Sequence, residues 1–230
     1  MSGREPPRQF PLALPHEPRF GVEDYLVASS NAAAHALVTS WPNWPDRSLL
    51  LVGESGAGKS HLAAIWRAQS GAPEASSAED AIARLRDAPE DAALLLDDAD
   101  REGADENALF HLLNLARERR ARLLLTARST PTLLWPTLPD LASRLRALPV
   151  ARIDAPDDDA MRAVLMKLFD DRQIRIDDEV IEFLHRHCDR SLGAARSIVD
   201  EIDRESLARG RGVGKGLAGD VVRRLRNEDD

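Results

Sequence analysis

The chain has 230 residues, of which 43% are hydrophobic and 30% charged, and its net charge is −8. This length allows one sizeable hydrophobic core with a small second domain beside it. No apolar run approaches the ~18 residues of a membrane span, and Met1–Phe10 lacks the apolar core of a signal peptide. The single cysteine, Cys188, cannot form an internal disulfide or by itself build a zinc site. The sequence therefore predicts a cytoplasmic protein with no membrane partner.

The acidic balance argues against a protein that grips a nucleic-acid backbone, because such binding requires a concentrated positive face. Two basic clusters, Arg117–Arg122 and Arg223–Arg226, have helical spacing and acidic neighbours, which favours solvated helix faces. We therefore predict no strong direct binding to nucleic acid.

In chain order, the five prolines among the first 20 residues predict an extended arm over 1–19. A helix is predicted over Asn31–Ser40 after the N-cap Ser30, and a turn-rich loop over Trp41–Asp46 because of its two prolines. Short apolar runs predict strands at Ser48–Val52, Ala92–Leu96, Leu123–Thr126 and, more weakly, Leu148–Ile153. Between them we predict helices over 60–69, 79–87 and 105–119, and a loop over 71–78.

Buried apolar strands alternating with helices are typical of an α/β fold with a parallel sheet. After Pro156 the strand-like runs stop, and the pattern is helical to the end. The predicted boundary lies near Asp154–Pro156, with an α/β core over 20–155 and a small helical domain over 156–230. The predicted helices of that domain are 157–171, 177–189, 191–209 and 217–227.

The segment Gly53–Ser60 (GESGAGKS) fits the phosphate-loop pattern G-x-x-x-x-G-K-[ST]. Its small residues allow successive backbone N–H groups to turn inward around an anion, and the following helix adds its positive N-terminal end. Lys59 is expected to reach the outer phosphates, and the Ser60 hydroxyl to bind Mg²⁺. The expected phosphate-binding residues are Gly53, Gly56, Ala57, Gly58, Lys59 and Ser60.

Two acids follow the second apolar run, in the sequence Ala93–Asp98 (ALLLDD). An acid at the end of a strand beside a phosphate loop can hold Mg²⁺ through water, which is the expected role of Asp97. Asp98 is the candidate to polarise an attacking water.

These elements, in this order, resemble an AAA+ ATPase, and more narrowly the DnaA group of replication initiators. The phosphate loop, the strand with two acids and the segment 138–145 (LPDLASRL) carry the resemblance, together with the stretch 20–34 (FGVEDYLVASSNAAA). Only the phosphate loop is specific by itself. The resemblance implies an AAA+ phosphate-loop core with a parallel sheet, followed by an all-helical lid domain. It also implies ADP or ATP with Mg²⁺ as the ligand.

The resemblance further implies roles for individual residues. Thr126 matches the polar residue that ends a later strand, and Arg144, after Ser143, matches an arginine finger that acts on a neighbouring subunit's ATP. In the lid, the G-x-x-R form at 193–196 suggests Arg196 as the nucleotide-binding arginine, with Arg190 as the alternative. The expected nucleotide contacts outside the loop are Val27, Asn31 and His61.

An initiator of this group is much longer and ends in a domain that reads origin DNA. We therefore expect the regulatory branch of the family, whose partner is the ATP form of DnaA and whose effect is negative control of replication initiation. The segment 9–14 (QFPLAL) resembles the Q-L-x-L-x-L peptide that docks on the replicative sliding clamp. Its expected clamp-binding residues are Gln9, Phe10, Leu12 and Leu14, although Phe10 departs from the usual leucine.

Two other interpretations stay open. One is a self-contained DNA-remodelling ATPase of the helicase-loader (DnaC/IstB) type, and the other is an adaptor that holds ADP as a permanent structural ligand. The sequence also leaves open whether the chain hydrolyses ATP itself and whether it forms a homodimer.

Overall fold

The computed structural model describes residues 25–132, 135–210 and 212–228. These residues form a five-stranded parallel sheet flanked by helices, followed by a helical domain. The strands are β1 (Ser48–Val52), β2 (Glu74–Ala75), β3 (Ala93–Leu96), β4 (Arg122–Ala127) and β5 (Val150–Arg152). The helices are α1 (Ala32–Thr39), α2 (Lys59–Ser70), α3 (Ala78–Asp87), α4 (Glu106–Glu118), α5 (Pro139–Arg146), α6 (Asp158–Asp170), α7 (Asp178–His187), α8 (Leu192–Arg209) and α9 (Lys215–Glu228).

The strand order is β2-β3-β4-β1-β5, and every pairing is parallel. The predicted α/β class is therefore confirmed. Because β4 lies between β1 and β3, the carboxyl ends of these three strands meet at one edge of the sheet. Val52 pairs with Ala127, and Leu96 pairs with Leu125. This edge brings the end of the first strand, which leads into the phosphate loop, close to the two acids after β3.

The sheet is buried on both faces because its apolar strand residues alternate between two clusters. Leu50 and Val52 pack with α3, α4 and α5, whereas Leu49 and Leu51 pack with α1 and α2. A continuous apolar run places apolar side chains on both faces of the sheet, and this explains why these strands could be predicted from the sequence.

Two elements differ from the sequence prediction. The segment 71–78, predicted as a loop, contains the two-residue edge strand β2, which pairs with β3. Helix α5 was not predicted as an element, and it begins with Pro139 in its first turn. Proline suits that position because the first turn has no partner for its N–H.

Helices α6 to α9 enclose their own hydrophobic cluster, from Met161 to Val222, and Leu26 packs against it from the segment before α1. Asp157 caps α6 by accepting a hydrogen bond from the Ala160 N–H, and Ser191 caps α8 by accepting one from the Ala194 N–H. Within the described residues, no helix is long and apolar enough to cross a membrane.

The basic cluster Arg117–Arg122 lies at the amino end of β4, away from the edge that carries the acids. Arg119 donates to the carbonyl oxygen of Ala88, and Arg122 donates to that of Pro42 while its guanidinium lies 4.8 Å from the Trp41 ring centroid. These two arginines hold loops and an aromatic ring in place.

Candidate functional site

The phosphate loop leaves β1 and curls into the start of α2. Gly56 and Gly58 have φ angles of +73° and +102°, in the left-handed region that favours glycine. At Gly53 the restriction is one of space, because an added Cβ would lie 3.0 Å from the carbonyl oxygen of Ile153. The glycine positions of the motif therefore follow from backbone geometry and close packing.

Lys59 is 93% buried, since its relative exposure is 7%. Its Nζ donates to the carbonyl oxygens of Gly53, at 2.8 Å, and Glu54, at 3.0 Å. The Lys59 ammonium group thus lies against the first residues of the phosphate loop. Among the described residues, the hydrogen-bond partners of this ammonium group are backbone carbonyls, and a phosphate oxygen would add a negatively charged partner.

Ser60, Asp97 and Thr126 form one hydrogen-bonded group at the carboxyl edge of the sheet. The Ser60 Oγ donates to Asp97 Oδ2 at 2.9 Å, and the Thr126 Oγ1 donates to Asp97 Oδ1. Thr126 is fully buried, and its hydroxyl also accepts the backbone N–H of Asp98 at 2.9 Å. The structure therefore brings together four residues that the sequence analysis assigned to the site separately.

The donor set at this edge suits a hard cation. The Ser60 hydroxyl and the Asp97 carboxylate are oxygen donors, the type that Mg²⁺ prefers. Among the described residues, no group of three or more His, Cys, Asp or Glu could hold a metal ion. A Mg²⁺ ion at this place would therefore take most of its ligands from phosphate oxygens and water.

The segment before α1 packs beside the phosphate loop. Tyr25 stacks on His35 and meets His61 edge-on, with ring centroids 5.4 Å and 5.2 Å apart. Burial raises the pKa of Tyr25 to about 12, so its hydroxyl stays protonated at neutral pH. Val27 is 50% exposed, which leaves an apolar side chain in this segment for a ligand.

Asn31 differs from Val27 because it is almost completely buried. Its Oδ1 accepts the backbone N–H of Ala28 at 2.8 Å, and its Nδ2 donates to the carbonyl oxygen of Leu26 at 2.8 Å. Both ends of the amide thus shape the backbone on either side of Val27. Asn31 therefore holds the backbone around Val27 in place. A direct nucleotide contact at Asn31 stays a prediction.

The lid touches the phosphate loop directly at the start of α8. The backbone N–H of Gly193 donates to the carbonyl oxygen of Gly56 at 3.3 Å. A Cβ added at Gly193 would lie 2.8 Å from that oxygen, and one added at Gly56 would lie 2.9 Å from the Ser191 Oγ. Two glycines therefore allow the core and the lid to meet backbone to backbone.

The two candidate lid arginines have different surroundings. Arg196 lies one turn beyond Gly193 on α8, so both residues are on the same face of the helix. Arg190 pairs instead with Asp158 of α6, at 3.0 Å, and is 64% exposed. The nucleotide role of Arg196, with Arg190 as the alternative, stays a prediction.

Arg144 lies in the last turn of α5, and its guanidinium carbon is 5.8 Å from the centroid of the Phe110 ring of α4. Its side chain makes no ion pair or hydrogen bond in the described parts of the chain, and its role as an arginine finger stays a prediction. The clamp-type peptide with Gln9, Phe10, Leu12 and Leu14 lies outside the described residues.

Sequence reasoning missed several residues that build this site. Tyr25 and Ser191 lie in segments that the sequence analysis discussed, but these two residues were not assigned to the site because their contacts form only through tertiary packing. Gly193 is the glycine of the G-x-x-R pattern at 193–196, but only the arginine of that pattern was assigned to the nucleotide site. Glu106, which holds the start of α5, gave no sequence signal.

Comparisons with known proteins agree with this geometry. Residues 157–214 match the family model described as "Hda, lid domain". The chromosomal replication initiator DnaA of Gloeothece citriformis is 28% identical over 214 residues, covering 81% of this chain and 46% of that protein. The chain spans less than half the length of the curated relatives it matches.

Solved structures show the same fold. Domain III of the Thermotoga maritima initiator DnaA matches with a TM-score of 0.67 and 20% identity, covering 91% of this chain and 98% of that one. AMPPCP-bound DnaA from Aquifex aeolicus matches with a TM-score of 0.63 and 20% identity, covering 81% and 66%. The chain therefore shares the fold of these DnaA structures, and residues 157–214 of its helical domain match the lid domain of Hda.

Proposed function

We propose that this chain is a nucleotide-binding regulator that docks on the DNA polymerase sliding clamp and stimulates hydrolysis of DnaA-bound ATP. The result would be negative control of replication initiation. The observation that carries the proposal is an Hda-type lid seated directly on a complete phosphate loop. The proposal explains why the chain combines a phosphate loop with an arginine whose side chain, among the described residues, contacts the Phe110 ring and forms no ion pair.

In this proposal an adenine nucleotide lies between the core and the lid. The loop N–H groups and Lys59 hold its phosphates, and Arg196 reaches them from α8. Val27 and His61 contact the adenine side, with Asn31 fixing the backbone around Val27. Mg²⁺, held through Ser60 and Asp97, would neutralise phosphate charge when it is bound.

The chain's own site also offers a candidate to polarise an attacking water, since Asp98 follows Asp97 and lies exposed at the carboxyl edge of the sheet. A self-contained ATPase is therefore the second candidate. The regulator is favoured because Arg119 and Arg122 of the 117–122 cluster donate to backbone carbonyls of the chain itself and serve as structural braces.

Arg144 is proposed to act on the ATP of DnaA. A positive charge added to the γ-phosphate of a neighbouring subunit stabilises the transition state, and such arginines contribute on the order of 10³–10⁵ in rate. Arg144→Ala should therefore lower stimulated hydrolysis at least ~100-fold and leave nucleotide binding by the chain unchanged. Arg146→Ala, two residues along the same helix, is the matched control. Unchanged stimulation by Arg144→Ala would remove the proposed role.

The same assay tests the clamp arm. Stimulation is measured with DnaA, DNA-loaded clamp and either the full chain or a chain lacking residues 9–14. The deletion should abolish clamp binding and clamp-dependent stimulation, because apolar side chains of such peptides fill a preformed pocket. Intact clamp binding by the deletion variant would contradict the docking proposal.

A further inference from the structure

Helix α5, which carries Arg144, is held at its start by a residue of another helix. Its N-cap position is Leu138, whose side chain cannot accept a hydrogen bond. Glu106 of α4 instead anchors the two residues that lead into the helix. Its carboxylate accepts the N–H of Thr137 at 2.8 Å, the hydroxyl of Thr137 at 2.8 Å and the N–H of Leu138 at 2.7 Å. A negative charge in this place also favours the positive end of the helix dipole.

The Glu106 carboxylate is well suited to this role. Burial raises its pKa, but the hydrogen bonds from Thr137 and Leu138 outweigh burial, and the net shift is downward. The group therefore stays ionised at neutral pH and accepts all three hydrogen bonds as a carboxylate.

The same side of α4 also meets the other end of α5. Phe110 lies four residues after Glu106, one helical turn along, and the two side chains are therefore neighbours on the helix surface. The Phe110 ring packs against the core cluster of the sheet, which fixes its position. The Arg144 guanidinium lies 5.8 Å from the centre of this ring, within the range of a cation–π interaction.

We propose that Glu106 and Phe110 are positioning residues that together aim Arg144 at the partner's nucleotide. This inference rests on the proposed function, because it assumes that Arg144 acts in trans. A free arginine side chain loses up to ~2 kcal/mol of rotamer entropy when it is fixed. Here the guanidinium is already held over a ring, and its helix is already anchored at its start. The side chain therefore loses less rotamer entropy when the partner docks.

The experiment measures hydrolysis of DnaA-bound ATP against the concentration of the full chain, in the presence of DNA-loaded clamp. Phe110→Leu removes the ring and keeps an apolar side chain, whereas Phe110→Tyr keeps the ring. Glu106→Gln removes the charge and keeps the size. Glu118→Gln, an exposed acid at the end of the same helix, is the control.

We expect Phe110→Leu and Glu106→Gln to lower the maximal stimulated rate roughly tenfold, because a misplaced arginine no longer meets the reacting phosphate in the right geometry. The concentration that gives half of the maximal effect should not change, and Phe110→Tyr should restore the wild-type rate. In the Arg144→Ala background, Phe110→Leu should have no further effect, since both residues act through one guanidinium. If Phe110→Leu fails to fold, Glu106→Gln carries the test.

The outcomes separate this inference from the function it rests on. If Arg144→Ala leaves stimulation unchanged, the trans role itself is wrong. If Arg144→Ala abolishes stimulation while Phe110→Leu and Glu106→Gln match the wild type, the positioning role is overturned and the proposed function stands. A loss with Phe110→Tyr equal to that with Phe110→Leu would also overturn the positioning role of the ring.

Discussion

Thr126 links the two acids of the candidate site through one buried hydroxyl. The hydroxyl donates to Asp97 and accepts the N–H of Asp98. Thr126→Val keeps the shape but leaves both groups without this partner, so the free energy of unfolding should fall by about 1–3 kcal/mol. Thr126→Ser keeps both hydrogen bonds and should lose only ~1 kcal/mol for one methyl group. Urea titration of the three proteins measures the difference, and a Val variant as stable as the Ser variant would contradict this account.

Cys188 offers a second measurement at a single residue, because the chain has no other cysteine. Burial, with a smaller contribution from Asp189, raises the pKa of its thiol from 9.0 to about 11. Between these values the unfolded chain releases the proton and the folded chain keeps it. The free energy of unfolding should therefore fall as the pH rises from 9 to 11.

The rate of alkylation of Cys188 by iodoacetamide, measured at increasing pH, reports the same shift in the thiol pKa, since only the thiolate reacts. The reaction of the folded chain should rise about two pH units later than that of the chain in urea. Coincident curves would show that the thiol is not shielded.

The residues of the phosphate loop could be predicted from sequence because their chemistry is local. Glycines at fixed spacing, a lysine and a serine suffice to define an anion site before any packing is known. Asn31 illustrates the limit. The family resemblance implied a nucleotide contact at Asn31, which stays a prediction, whereas the hydrogen bonds of its amide to the backbone of Leu26 and Ala28 are a pattern that no spacing rule predicts.

At the scale of elements, α8 joins the lid to the loop. Gly193 lies at its start, where an added Cβ would lie 2.8 Å from the carbonyl oxygen of Gly56. Gly193→Ala should push the lid away from the loop, at a cost typical of overpacking, about 1–3 kcal/mol. If the nucleotide lies between the core and the lid, as proposed, affinity for ADP should fall roughly tenfold. Calorimetric titration with ADP measures this affinity.

Gly216→Ala is the matched control for this prediction. Gly216 also lies in the first turn of a lid helix, α9, and an added Cβ there meets nothing within 4 Å. It should bind ADP like the wild type. Equal affinities for the Gly193 and Gly216 variants would mean that the contact between α8 and the loop does not control binding.

The elements differ in how well the sequence revealed them. Strands β1, β3 and β4 were predictable because central parallel strands must be apolar on both sides. Strand β2 was missed because two residues at the edge of a sheet carry no pattern, and only the pairing with β3 defines it. Helix α5 is short, and its N-cap residue Leu138 makes no side-chain hydrogen bond. The segment that leads into it is anchored by Glu106 of another helix, so the usual capping signal was absent from the sequence of α5 itself.

The whole molecule combines a parallel-sheet core that carries the phosphate loop with a helical domain that matches the Hda lid, and its fold is that of DnaA domain III. The order of the motifs along the chain indicated this architecture before the structure did, because each motif occupies a fixed place in the fold. The relation between core and lid could not be predicted in the same way. It depends on two glycines and one serine, Gly56, Gly193 and Ser191, that meet only after folding.

The central claim is that this chain acts on ATP bound to another protein. It is tested by loading labelled ATP either onto DnaA or onto this chain, combining the two with DNA-loaded clamp, and following the label through a single turnover. The account predicts rapid conversion of the label on DnaA, dependent on Arg144, while label carried by this chain persists. Conversion of the label on this chain alone would contradict the account and identify a self-contained ATPase.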